Sequence, residues 1–286
     1  MKYPTIEETV TTLASDKFEG RAVGLAGNEA TAEYIEKAFK SLNLTPLFED
    51  SYYQTYYQAV KSDPKSNDSE KKLKQLKNVI GLIKGKNPKK AVIVSAHFDH
   101  IGYKDGNMVR GALDNASGVS ALLEIANILK KKSSEYDFET NIIFCAFNSE
   151  ERAYGGSGAF NRAIGFDIYS DFYNINIDCI GAKEGGKLAL KNRGNSSNAL
   201  YDSVKSTLKK NKVEFSDKQA RGGSDHVVFD SVGIPNIYIT EENILELIHR
   251  PTDIPEILDY GKIRDISRAL SDFIISNDKT VFMNSK

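Results

Sequence analysis

"AVIVSAHFDHIG", residues 91–102, decides the fold. An unbroken apolar run ends in His97, Asp99 and His100. A short run of this kind, with polar residues at its C-terminal end, is the pattern of a strand buried on both faces of a sheet. Similar runs recur at "NVIGLI" (78–83), "NIIFCAF" (141–147), "FYNINI" (172–177) and "IPNIYI" (234–239). Helical stripes lie among them: Ala32, Ile35, Phe39 and Leu42; then Val119, Leu122, Ile125, Ala126 and Leu129; then Leu200, Val204 and Leu208; and last Tyr260, Ile263, Ile266, Leu270 and Phe273. The second stripe belongs to a helix over 117–132, with Ser117 as its expected cap and Lys130, Lys131 and Lys132 at its C-terminal end.

Strands alternating with helices predict an α/β fold: one domain over 1–286, a three-layer α/β/α sandwich around a mixed, mostly parallel twisted sheet. The polar stretch 61–77 reads as a solvated loop or hairpin tip, and "SYYQTYYQ" (51–58) as a strand with an aromatic face and no catalytic role. In such sheets ligands collect beyond the carboxyl ends of the strands, so the polar residues there carry most weight.

Composition narrows the function. With 40% hydrophobic and 27% charged residues the chain is an ordered globular one, and a net charge of -1 offers no field for nucleic acid or an anionic membrane. No apolar run approaches the roughly 18 residues of a membrane span. Cys145 and Cys179 sit in apolar runs and read as buried thiols. The start "MKYPTIEETV" has no secretory apolar region, which reads as cytoplasmic for the chain as written, a mature exported form being the alternative.

At the strand ends stand His97, Asp99 and His100, then Glu150 and Glu151, then Asp178, and finally His249 in "IHRPTD"; Asp114 in "GALDNASG" (111–118) precedes a helix. Singly, an Asp before a helix is a cap and a Glu pair a solvated face. Together, carboxylates and imidazoles at several strand ends suit zinc or a similar divalent ion, with manganese or cobalt as substitutes.

The order H-x-D, D, E-E, D, H resembles the M28 family of co-catalytic zinc aminopeptidases. The likeness runs through "LASDKFEGR", "NVIGLIKG", "AHFDHIG", "GALDNASGV", "NSEERAYGGSGAF", "NIDCIG", "GGSDHVVF", "GIPNIYI" and "HRPTD". It implies that His97 and Asp178 hold one zinc and Glu151 and His249 another, with Asp114 and a water or hydroxide bridging the two. Glu150 is then the general base, and peptides with a free N-terminus are the substrates. Asp99 completes the catalytic set by accepting the N–H of His97. In extended backbone, residues two apart share a side, so His97 and Asp99 face the site while His100 falls off that register, as a packing or hydrogen-bonding residue. Glu150 and Glu151, adjacent in an extended segment, point in different directions. Asp225 either contacts the substrate's α-ammonium or joins Ser224 and His226 in a network or helix cap.

Three rival readings remain. A single-zinc glutaminyl cyclase resembles this fold but relies on tryptophans near its site, and this chain has none. An M20-type carboxypeptidase or dipeptidase shares the H-x-D and E-E signals but usually carries an inserted domain. A non-catalytic relative would have lost ligands or Glu150.

Overall fold

The run at 91–97 closes strand β4 in a computed structural model that describes residues 3–48, 50–63, 70–192 and 194–283. The strands are β1 (Thr45–Pro46), β2 (Tyr53–Lys61), β3 (Lys71–Ile83), β4 (Asn87–His97), β5 (Tyr103–Lys104), β6 (Asn107–Met108), β7 (Thr140–Phe147), β8 (Asp171–Ile177), β9 (Leu188–Lys191), β10 (Phe215–Gln219) and β11 (Asn236–Glu241). The helices are α1 (Ile6–Leu13), α2 (Ala26–Ser41), α3 (Gly118–Lys132), α4 (Gly155–Ile164), α5 (Asn198–Lys210), α6 (His226–Asp230) and α7 (Tyr260–Ser276).

One sheet of nine strands runs β1-β3-β7-β4-β8-β11-β9-β10, with β2 paired to β3. Its centre, β7-β4-β8-β11, is parallel. On its flanks β2 and β1 pair antiparallel with β3, β3 with β7, and β9 with β11. The sheet is therefore mixed, as expected. Parallel neighbours need a crossover, commonly a helix, whereas β2 and β3 follow each other directly and form an antiparallel pair.

Alternation along the central strands sorts side chains between two cores. Val92, Val94, Ile142 and Phe144 pack on the side of α1, α2, α3, α5 and α7. Ala91, Ile93, Ile143 and Cys145 pack on the other, against Phe160 of α4 and Phe229 of α6. Helices thus cover both faces. Each fully buried Val, Ile or Phe among them contributes about 1.5–3 kcal/mol.

Two local expectations change. Residues 71–77 are the start of β3, paired in register with β2 from Lys61↔Lys71 to Tyr53↔Val79, while the expected tip at 64–69 lies outside the described residues. Ser117 does not cap α3. Residues 112–117 are already wound in a π-type turn, so Ser117 is helical (φ -62, ψ -49) and its hydroxyl donates to Leu113 O. An N-cap needs extended backbone; here the Asn115 side chain instead accepts the Gly118 N–H at 2.9 Å.

His97 at the end of β4 lies level with Phe147 at the end of β7, and Ser95 with Asn176 of β8. The residues that follow these strands emerge at one edge of the sheet. Among the described residues no helix is long and apolar enough to cross a membrane.

Candidate metal centre

At that edge the predicted ligands form two groups that share Asp114. In the first, His97 Nε2 lies 3.2 Å from Asp178 Oδ1 and 3.4 Å from Asp114 Oδ1. In the second, His249 Nε2 lies 2.9 Å from Glu151 Oε1 and 3.0 Å from Asp114 Oδ2. Asp114 therefore turns one oxygen to each group. Donors placed tetrahedrally around an ion at about 2.0–2.1 Å stand roughly 3.3 Å apart. Separations of 2.9–3.4 Å suit ions of that size, and imidazole with carboxylate is a donor mixture that zinc accepts.

The supporting hydrogen bonds depart from expectation in three ways. His97 Nδ1 meets the carbonyl of Asp99 at 3.1 Å, with the Asp99 carboxylate farther off at 3.7 Å. That carbonyl still fixes the tautomer and leaves Nε2 free for the site. The Asp99 carboxylate accepts instead the N–H groups of Glu150 (2.9 Å) and Glu151 (3.3 Å). Those two glutamates lie in a 3-10 turn, Glu150–Arg152, and not in extended chain; the unpaired amides at the start of such a turn favour an anion. Third, His100 is not off to one side. Its Nδ1 sits 3.1 Å from Glu151 Oε1 and 3.6 Å from Asp114 Oδ2. β4 stops at His97, so the period of two no longer governs residues 98–100.

Three residues outside the predicted set hold the ligand loops. Arg21, fully buried, donates to the carbonyls of Phe98, Leu13, Arg110, Gly111 and Asp114 at 2.7–3.0 Å. Asp253 accepts the N–H groups of Leu113 (2.6 Å) and Asp114 (3.2 Å). Asn115 ties the same loop to the Asp178 segment, donating to Ile177 O and accepting from Cys179 N. Gly111 adopts φ +62 there, and a Cβ would stand 2.2 Å from Asp114 O and 2.6 Å from the Arg21 guanidinium. Both Arg21 and Asp253 lie in stretches that stand out in the sequence, "LASDKFEGR" and "HRPTD", but a partner that far away in the chain leaves no periodic signal. Ser149, Ala153, Tyr154, Cys179 and His249 all adopt positive φ beside the ligands. Such backbone is costly for side chains other than glycine and clusters at functional sites.

Burial and neighbouring charges shift the titration of these groups in opposite directions. Burial opposes charge on His97, yet contact with Asp178 and hydrogen bonds to Asp178 and Asp99 hold it well above the usual range. Hydrogen bonds to Asp114 and Glu151 push His249 up to about 10. Burial also works against ionised Glu151, but His100 and His249 draw it far down. Glu150 goes the other way: burial, aided by Asp178, Asp225 and Glu151 and opposed by His97, raises it well above the carboxylate range.

Asp225 is wholly buried, and burial pushes it up to about 7. Its Oδ1 accepts from Ser157 Oγ at 2.5 Å, and the His226 ring stacks on Tyr238 at 4.7 Å. The other Asp225 carboxylate oxygen, Oδ2, is buried with no hydrogen-bond partner among the described residues. From β2, the Tyr56 hydroxyl donates to Asn148 O (3.2 Å) and can accept from Ser149 Oγ (3.0 Å), so the aromatic strand steadies the turn before Glu150.

A doubly wound sheet with two donor groups joined by one carboxylate at its strand ends defines the class: an α/β protein built around a divalent-metal centre. The chain belongs to peptidase family M28, whose model matches residues 78–274. It is 31% identical over 162 residues to the aminopeptidase YwaD of Bacillus subtilis (strain 168), a match covering 55% of this chain. The chain spans only 34% of that relative's length. Among solved structures it shares its fold with a zinc aminopeptidase of Bacillus subtilis (TM-score 0.74, 18% identity, 96% of each chain). It shares it also with a glutaminyl cyclase of Porphyromonas gingivalis (TM-score 0.70, 21% identity, 95% of this chain and 98% of that one).

Proposed function

We propose that this chain, read as one metallopeptidase domain over residues 1–286, is a two-zinc aminopeptidase that releases N-terminal residues from peptides. The observation that carries the reading is the division of Asp114, Oδ1 toward His97 and Asp178 and Oδ2 toward Glu151 and His249. Bound there, zinc supplies a Lewis acid for the scissile carbonyl and lowers the pKa of water to near neutrality.

The protein's own part is proton handling. Burial raises Glu150 well above the carboxylate range; positive charge beside it would favour the carboxylate, the form a general base needs. Glu150 then takes a proton from the attacking water and delivers it to the leaving amine, a role that contributes about 10²- to 10⁴-fold. Asp99 positions that base by its hold on the Glu150 and Glu151 amides. His97 keeps Nε2 toward the site because Nδ1 is committed to a carbonyl.

The glutaminyl cyclase reading has a structural neighbour behind it. Against it stand a second complete donor group and the lack of any tryptophan. A panel of aminoacyl chromogenic amides decides, run after chelation and again on stepwise zinc addition. Release of N-terminal residues that needs two zincs per chain supports the proposal. Cyclisation of N-terminal glutamine with one zinc supports the cyclase, and amide hydrolysis undiminished by chelation would sink both.

A further inference from the structure

Four donors, not three, surround the second position. His100 Nδ1, His249 Nε2, Glu151 Oε1 and Asp114 Oδ2 all lie within 4.8 Å of one another. The His100 distances, 3.1 Å to Glu151 and 3.6 Å to Asp114, are of the same size as those made by His249. They bracket the roughly 3.3 Å edge of a tetrahedral zinc sphere. Among the described residues the first position has the three donors His97, Asp114 and Asp178.

The alternative for His100 is a structural imidazole that merely donates to Glu151. Such a ring, when buried, normally satisfies both nitrogens. His100 is 1% exposed, and its Nε2 has no hydrogen-bond partner among the described residues. Its polar contacts therefore run through Nδ1, which faces two carboxylates already placed as ligands. His100 N donates to Arg21 O at 3.3 Å, and Gly111 leaves no room beside the ring, a Cβ there coming within 2.6 Å of His100 Cδ2. The imidazole is thus packed in place with Nδ1 aimed at the ligand group.

We infer that His100 is a fourth protein ligand of the ion held by Asp114, Glu151 and His249. This rests on the two-zinc reading above and makes the two positions unequal. A closed set of four protein donors is the pattern of a firmly held ion, whereas three donors leave an open position for water or substrate. The His100 position fills first and tightly. The His97 and Asp178 position would fill second and, with three protein donors, would leave a place open for the peptide carbonyl.

The test is zinc titration of the chelator-stripped full chain against a chromophoric competitor, for wild type, His100→Phe and Asp178→Asn. Outer-shell partners alone typically cost 10- to 100-fold in affinity, so His100→Phe should weaken the tighter zinc by roughly 100-fold or more, and Asp178→Asn the weaker one. Equal loss from both sites, or an unchanged tighter site in His100→Phe, overturns the assignment. A measurement on wild type guards against a misfolded variant: the chain labelled with ¹⁵N-histidine and loaded with ¹¹³Cd should show nitrogen–cadmium coupling at three imidazoles. Coupling at His97 and His249 alone overturns the His100 assignment and leaves the two-ion reading intact. A wild type that takes up one ion refutes the two-ion reading, and His100 is then decided by whether it couples to that ion. No uptake refutes both.

Discussion

Arg21→Lys isolates the work of a buried cation that touches neither ligand donors nor substrate. Arg21 satisfies five carbonyls through its guanidinium, three of them at Phe98, Gly111 and Asp114 in the ligand loops. Lysine carries three donors, so at least two of the five carbonyls lose their partner. A buried polar group left unpaired costs about 1–3 kcal/mol, which puts the loss at about 2–6 kcal/mol. For a chain of this size each kcal/mol is worth about 2–4 °C in Tm, so the midpoint should fall by about 4 °C at the least. Burial also lowers the Arg21 guanidinium to about 10, against Asp253 and Asp114, which favour its charge. Urea unfolding of the metal-stripped protein is the assay. Arg110→Lys is the control, because Arg110 pairs with Asp16 at the surface and such pairs contribute about 0–1 kcal/mol. A loss at Arg21 no larger than at Arg110 would refute the idea that this network holds the centre together.

Glu150→Gln should bind both zincs with wild-type affinity and lose about 10²- to 10⁴-fold in kcat; undiminished turnover removes Glu150 as the base. Asp99→Asn turns an amide donor toward one of the Glu150 and Glu151 N–H groups, and should cost about 10- to 100-fold in kcat or zinc affinity while far-UV circular dichroism stays unchanged. The metal-free protein should also respond to pH through His249. Its folded value is raised to about 10 from an ordinary value near 6.5, so its stabilisation is complete below about 6.5 and is lost as pH rises toward 10. The stability gap between wild type and His249→Gln, both in chelator, should therefore shrink from pH 6.5 to pH 10, modestly because the ring is 40% exposed. Zinc affinity should rise over the same interval as protons leave the ligands. A gap that widens with pH would contradict the assigned contacts.

The order of the elements was legible because burial leaves a local trace. The runs at 78–83, 91–96, 141–147 and 172–177 fall within β3, β4, β7 and β8, and the last predicted run overlaps β11. The short strands β9 and β10 escaped notice: β9 is four residues long, its apolar run only "LAL", and β10, five residues long, ends in the polar "SDKQ". The clustering of the proposed ligands was also legible, since His97, Asp114, Glu151, Asp178 and His249 all fall in the two donor groups. What misled was the assumption of extended backbone beyond the strand ends. Glu150 and Glu151 turn through a 3-10 segment, and His100 lies past the end of β4 in an isolated bridge to Ala22.

The sequence by itself determined which chemical groups stand at the ends of which strands, because strand, helix and side-chain alternation are set by neighbours a few residues away. Only the tertiary structure decided how those groups are aimed and held. Arg21 reaches Phe98 across 77 positions, and Asp253 reaches Leu113 across 140. Hydrogen bonds that long in sequence exist only once the sheet has brought its strand ends together, and they place Asp114 between two positions and His100 beside one of them.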